Sequence, residues 1–214
     1  MNTIMYVDDT DLFLTGKING HHTSITTKAQ QLISKWCSML WITGGALRPE
    51  KCGWYLLSFS WTPDGDWAYN TIKDTPSDLH IPDYLNHPHI IERYEANRGF
   101  KGLGIFEAPD GNNNDQLNYM KDKIQNWTNK LSATFISCSA ASLALSSTIM
   151  ATIKYALPST TYTEKECDAL TIPLFKTILP KMGINRHLAL VYRYGPASCF
   201  GLQCNNIYTE QGIA

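Results

Sequence analysis

The chain has 214 residues, 43% of them hydrophobic and 17% charged, with 18 basic and 19 acidic side chains for a formal net charge of −1. These values exclude a disordered or collagen-like polymer and a uniformly basic nucleic-acid binder, and they leave room for one medium or two small domains with a genuine core. The charge is nevertheless uneven: residues 1–110 hold 9 basic and 13 acidic groups, and residues 111–214 hold 9 and 6. An acidic first half and a basic second half suit a metal centre beside a phosphate-gripping surface, and equally two unrelated solvated faces.

In chain order, the apolar runs Ile4–Val7 and Leu12–Leu14 flank Asp8, Asp9 and Asp11, which predicts a β-hairpin with carboxylates at its tip. Ile25, Ala29, Leu32, Ile33, Trp36 and Leu40 then recur at helical spacing after a capping Thr23 or Ser24, and Gly44-Gly45 ends the run. Ala46–Lys51 reads as a short extended piece and a turn. Gly53–Trp61 is aromatic and strand-like, Pro63-Asp64-Gly65-Asp66 is a turn, and Trp67–Ile72 returns as the partner strand. Polar residues 73–100 predict short strands and loops, and Gly102–Phe106 a further strand.

Past the loop Pro109–Asn114 the texture changes. Leu117, Met120, Ile124, Trp127 and Leu131 follow a three-and-four spacing. Two more helices are expected near Ala140–Ala156 and Glu164–Leu179, with Pro173 kinking or breaking the second. The apolar stretch Leu131–Leu157 contains Ser, Thr and Lys154, so it reads as a buried helix and not as a membrane span. The expected organisation is α+β: a mixed domain over 1–110 and a helical one over 111–214.

Six cysteines form no metal-binding spacing, no signal peptide precedes the acidic tip, and the sequon Asn126-Trp127-Thr128 carries little weight without one. An intracellular chain with free thiols is the expectation, nuclear or cytoplasmic being left open.

Two adjacent carboxylates repel each other, and a divalent cation removes the conflict. Magnesium suits such a pair: it prefers carboxylate oxygen, keeps waters and takes further ligands from phosphates. Tyr6-Val7-Asp8-Asp9 between apolar strands, followed by a long amphipathic helix, resembles the later half of a reverse transcriptase palm. The likeness continues through Gly45–Lys51, through Gly102-Leu103-Gly104-Ile105, and through Tyr194-Gly195-Pro196 and Phe200-Gly201-Leu202, which are similar to ordered landmarks of RNA-directed DNA polymerases from retrotransposons lacking long terminal repeats. Val7 stands where those enzymes more often have Ala, and Phe200 where the first Gly of a pair is expected.

The resemblance implies a partial polymerase palm (hairpin, helix, short strands) followed by a helical thumb-like region. It implies that Asp8 and Asp9 hold magnesium, with Asp8 the more direct ligand, that Tyr6 supports the primer terminus, and that Lys51 gives a proton to departing pyrophosphate. Lys121, Lys123, Lys130, Lys176, Lys181 and Arg186 would grip the phosphates of an RNA template and DNA primer. Family members take another aspartate and their fingers from sequence ahead of this hairpin, where seven residues precede Asp8 here. The expectation is a fragment, inactive alone, whose partner is the upstream half of the same polyprotein. Two other readings stand beside it: a non-catalytic nucleic-acid- or protein-binding remnant, and a phosphohydrolase using Asp9-Thr10-Asp11, which lacks the usual Thr or Val at the next position, Leu12.

Overall fold

The computed structural model of the chain describes residues 2–6, 9–16 and 22–212. The fold is mixed helix and sheet, in two compact units. One holds residues up to Gly104 together with Ala108–Asn112, and the other holds Ile105–Glu107 with residues from Asn113 onward.

In the first unit, β1 (Asn2–Tyr6) and β2 (Asp9–Phe13) pair antiparallel with Tyr6 opposite Asp9 and Asn2 opposite Phe13. Helix α1 (His22–Ile42) follows and stops where Gly44 takes φ +81°, with the Gly45 amide donating to the Leu40 carbonyl at 2.8 Å. A single 3₁₀ turn, Pro49–Lys51, leads into β3 (Gly53–Tyr55). The aromatic run expected as one strand divides: β3 pairs parallel with β8 (Glu92–Tyr94), and β4 (Phe59–Trp61) pairs antiparallel with β5 (Trp67–Tyr69). The return strand ends at Tyr69 because Asp74 accepts from both the amide and the hydroxyl of Thr71, closing a turn there.

Between them, β6 (His80–Pro82) and β7 (Pro88–Ile90) form another hairpin. The core of this unit is small. Leu79, Ile81 and Ile91 are buried against Ala29, Ile33 and Cys37 of α1 and against Leu47, Cys52 and Trp54. Gln30 on α1 fixes the arrangement by clasping one residue of β6: its amide donates to the His80 carbonyl and accepts from the His80 amide, both at 2.8 Å. Arg93 on β8 lies 5.1 Å over the Trp54 ring and donates to the Thr75 carbonyl and hydroxyl and to Ser77. β9 (Phe100–Gly102) ends this part, and left-handed Leu103 and Gly104 separate it from β10 (Ile105–Glu107), so the strand expected over Gly102–Phe106 is two strands.

The second unit is built on α2 (Asn114–Ala133) packed against α5 (Glu164–Lys181). Leu117, Met120 and Ile124 bury the apolar stripe of α2 in one core with Leu170, Leu174 and Ile178 of α5. Between them α3 (Cys138–Leu143) passes through a π-helical stretch, Ala144–Ile149, into α4 (Met150–Ala156). The widened turn coincides with hydroxyls bonding back to the helix: Ser147 donates to the Leu143 carbonyl at 2.7 Å. Among the described residues, Cys138–Ser159 is the one helical run long and apolar enough by length and composition to cross a membrane. Here Ala141, Leu145, Ile149, Ile153 and Leu157 from that run are buried in the helical core.

Helix α5 opens with a capping box, Thr163 and Glu166 satisfying each other's backbone amides. It does not break at Pro173. A proline inside a helix loses a hydrogen bond and crowds the preceding turn, at a combined cost of about 3 kcal/mol. Pro173 is exposed, however, while Leu170, Leu174, Phe175, Ile178 and Leu179 are at most 1% exposed, and each such burial contributes about 1.5–3 kcal/mol. Packing outweighs the local penalty. The chain closes with α6 (Leu190–Tyr194) and α7 (Ile207–Gln211), the latter anchored by buried Ile207.

Candidate functional site

Tyr6 is the last residue of β1 and Asp9 the first of β2, opposite each other in register. Val7 and Asp8 lie outside the described residues, and with them the alternation that would put Tyr6 and Asp8 on one face. Asp11, exposed, stands opposite Ile4. Adjacent carboxylates are hard oxygen donors and fit magnesium in type, with waters and phosphates supplying the remaining ligands. Among the described residues no group of three or more His, Cys, Asp or Glu side chains is placed to hold a metal ion.

Lys51 ends the 3₁₀ turn ahead of β3, with its side chain exposed. The turn is held by the Cys52 amide donating to the Pro49 carbonyl at 3.1 Å. Arg48 and Glu50, both exposed, stand 4.0 Å apart beside it, a surface pair of little energetic weight.

The basic residues expected to meet phosphate fall into distinct environments. Lys123 and Lys130 are seven residues apart on α2, so they share one face about 10 Å apart along the axis. Lys123 sits between two rings of that face: its ammonium is 5.0 Å from the Tyr119 ring centre and 6.0 Å from that of Trp127. Phe106 packs on Tyr119 at 5.4 Å and extends the row. The result is a half-exposed stripe of aromatic, lysine, aromatic, lysine along two turns and more of helix. Basic groups interleaved with rings are what a sequence-tolerant nucleic-acid surface uses, phosphate meeting ammonium and base or sugar meeting ring.

Lys121 points elsewhere. Its charge acts on Glu166, whose carboxyl is held below the usual range first by the Thr163 backbone amide and then by the Thr163 hydroxyl, with Lys121 a smaller contributor. Lys176 is exposed on α5. Lys181 is engaged: its ammonium donates to the Thr134 carbonyl at 2.9 Å and the Ser132 carbonyl at 3.5 Å, satisfying groups at the C-terminal end of α2. Arg186 is exposed and donates to the ring of its neighbour His187 at 3.0 Å.

Sequence reasoning missed the ring partners of Lys123. Trp127 falls on the apolar spacing of α2 and packs against the core on one side. The available signal was the spacing, since Tyr119, Lys123 and Trp127 are each four apart. Reasoning on charge also missed which cations are structural: Lys154 pairs with Glu210 at 2.7 Å, and Arg193 lies 5.0 Å from the Phe175 ring and donates to the Leu188 carbonyl.

Comparison with known proteins returns no match to a protein-family model, a curated protein or a solved structure.

Proposed function

We propose that the chain is the later part of a reverse transcriptase of a retrotransposon lacking long terminal repeats: residues 1–110 the end of a palm with its metal hairpin, residues 111–214 a thumb-like helical region. In the intact enzyme the reaction is magnesium-dependent synthesis of DNA on an RNA template. The observation that carries this reading is the antiparallel hairpin with Tyr6 opposite Asp9 in register, followed by the 21-residue helix α1 and by the turn that presents Lys51.

Magnesium would be held by Asp8 and Asp9, supplying positive charge against the polynucleotide phosphates. Tyr6 supports the primer end, and Lys51 delivers a proton to pyrophosphate. Lys123 and Lys130 grip the backbone without reading sequence, while Lys121, Lys176 and Arg186 add charge at the periphery. The reading needs a further carboxylate and a nucleotide-selecting helix from an upstream part of the polyprotein, so residues 1–214 alone are expected not to polymerise.

The test is binding of an RNA–DNA duplex by the purified chain, with manganese as a spectroscopic stand-in for magnesium. Duplex binding that weakens steeply with salt is expected, with a bound-manganese resonance that disappears in the Asp8→Asn, Asp9→Asn double variant. A manganese signal indifferent to that variant overturns the metal assignment. Template-directed incorporation by the chain alone, abolished by Asp8→Ala, overturns the expected inactivity.

A second reading, a non-catalytic nucleic-acid- or protein-binding remnant, is favoured by one observation: the helical unit has its own core and carries the lysine–aromatic stripe. Duplex binding that survives unchanged in the Asp8→Asn, Asp9→Asn variant while no manganese binds in either form selects this reading.

A further inference from the structure

The β4–β5 pair sets Phe59 opposite Tyr69 and Trp61 opposite Trp67. Residues directly opposed in an antiparallel pair share a face, as do residues two apart on one strand, so all four rings stand on one side with Ser60 and Ala68 on the other. The rings touch edge-on, Trp67 lying 6.0 Å from Phe59 and 5.2 Å from Tyr69. They are not a core: Phe59, Trp61 and Trp67 are 61%, 70% and 54% exposed. Clustered exposed rings mark a binding surface more readily than isolated ones do.

Charge decides what such a surface takes. Asp64 and Asp66 occupy the turn between Trp61 and Trp67, which is closed by the Thr62 amide donating to the Asp66 carbonyl at 2.7 Å. Both are exposed, and neither carboxylate has an ion-pair partner among the described residues. From Cys52 to Ile72 the sequence contains no lysine or arginine. Elsewhere in this unit the chain's own guanidinium groups lie over half-buried rings, Arg93 over Trp54 at 5.1 Å and Arg98 over Tyr94 at 4.5 Å. No lysine or arginine lies over Phe59, Trp61, Trp67 or Tyr69 among the described residues.

We propose that the β4–β5 hairpin docks an arginine- or lysine-rich segment of a partner protein, its cations stacking on Trp61 and Trp67 and pairing with the Asp64 and Asp66 carboxylates. Ring faces attract cations, and guanidinium most readily because it stacks flat. A polyanion would meet two carboxylates and no lysine or arginine from the span Cys52–Ile72 itself. A second copy of this chain joined through the same hairpin would add two more carboxylates and no lysine or arginine from Cys52 to Ile72. The proposal stands independently of the polymerase reading, since it uses none of its residues.

The experiment measures anisotropy of a labelled peptide of alternating arginine and serine with the full chain, at low and high salt. Binding is expected, weakened about tenfold or more by Trp61→Ala with Trp67→Ala. Asp64→Asn with Asp66→Asn is expected to weaken it about threefold at low salt and to flatten its salt dependence. The aspartate variant preserves the turn, so it decides the matter if the tryptophan variant unfolds the hairpin. Three results overturn the proposal: peptide affinity unchanged by the aspartate variant, displacement of the peptide by a thymidine oligomer that the tryptophan variant no longer binds, or a dimer of the wild-type chain that the tryptophan variant dissolves.

Discussion

Gly195 and Gly201 pass each other at backbone contact. A Cβ placed on Gly201 would fall inside the van der Waals shell of the Gly195 carbonyl, and one on Gly195 would strike the Val191 carbonyl. Around the crossing the two segments exchange backbone hydrogen bonds, from the Gly201 amide to Pro196 at 3.0 Å, from Gln203 to Gly195 at 3.0 Å and from Leu202 to Tyr192 at 2.7 Å. Two stretches noted in the sequence as separate landmarks, Tyr194-Gly195-Pro196 and Phe200-Gly201-Leu202, are therefore one structural feature, a closed loop at the end of the helical unit. Glycine is required here for space.

Gly201→Ala is accordingly expected to destabilise the helical unit by about 1–3 kcal/mol, the usual cost of forcing a methyl into filled space, because backbone cannot step aside as a side-chain tip can. Gly102→Ala is the control. No atom lies within 4 Å of the site a Cβ would take at Gly102, so its change is expected within about 0.5 kcal/mol. Urea unfolding followed by circular dichroism measures both, and equal effects would refute the steric account.

Gln211 clasps Tyr162 as Gln30 clasps His80. Its side chain accepts from the Tyr162 amide at 2.8 Å and donates to the Tyr162 carbonyl at 3.0 Å. Tyr162 is buried and His80 exposed, so water can replace only the second clasp. Gln211→Ala is expected to cost about 2 kcal/mol or more, since each buried unsatisfied backbone group costs about 1–3 kcal/mol, and Gln30→Ala below about 1 kcal/mol. Denaturant midpoints of the two variants should rank in that order, and the reverse order would show that the clasps are incidental.

These relationships mark what a sequence can and cannot say. The helices were legible because Leu117, Met120 and Ile124 repeat a period that only a helix satisfies, and because Gly44-Gly45 is a stop signal in its own right. Pro173 does not end its helix, since propensity is local while the burial of Leu170 and Leu174 is decided by the partner helix. The parallel pairing of β3 with β8 was invisible: strands of three residues show no period, and nothing local links Trp54 to Arg93 across 39 positions. At the candidate site the acidic tetrapeptide stands out in the sequence, but Val7 and Asp8 lie outside the described residues. The separation of Lys123 from Lys181, one between rings and one spent on the end of a helix, depends on packing that charge counting does not see.

Asp83 makes the β6–β7 hairpin acid-sensitive. Its carboxylate accepts from the His87 and Leu85 amides at 2.8 Å each and meets the His89 ring at 3.0 Å. The His87 amide bond foremost, with the His89 ring and the Leu85 amide, lowers its pKa from the ordinary 3.8 to about 2. A carboxyl depressed in the folded state contributes its full stabilisation above the ordinary value and loses it as pH falls through the folded value. The hairpin should therefore loosen between about pH 4 and pH 2. A carboxyl-carbon NMR titration of Asp83 should show a midpoint near 2, and Asp83→Ala should remove this step from the acid-unfolding profile. A midpoint at the ordinary value would disprove the mechanism.

The contrast between Lys130 and Lys181 is the most direct check on the proposed nucleic-acid surface. A lysine that meets phosphate releases counterions, and removing it lowers the slope of log affinity against log salt by about 0.9 per contact. Lys130→Ala and Lys123→Ala should each reduce the slope for an RNA–DNA duplex in this way. Lys130→Ala should leave the unfolding midpoint where it was, because its side chain is exposed and in no ion pair among the described residues. Lys181→Ala should do the opposite. Its ammonium already serves the Thr134 and Ser132 carbonyls, so stability should fall by about 1 kcal/mol with the salt slope unchanged. Paired salt titrations and melts of the three variants separate the roles; a slope change in Lys181→Ala equal to that in Lys130→Ala would return Lys181 to the binding face.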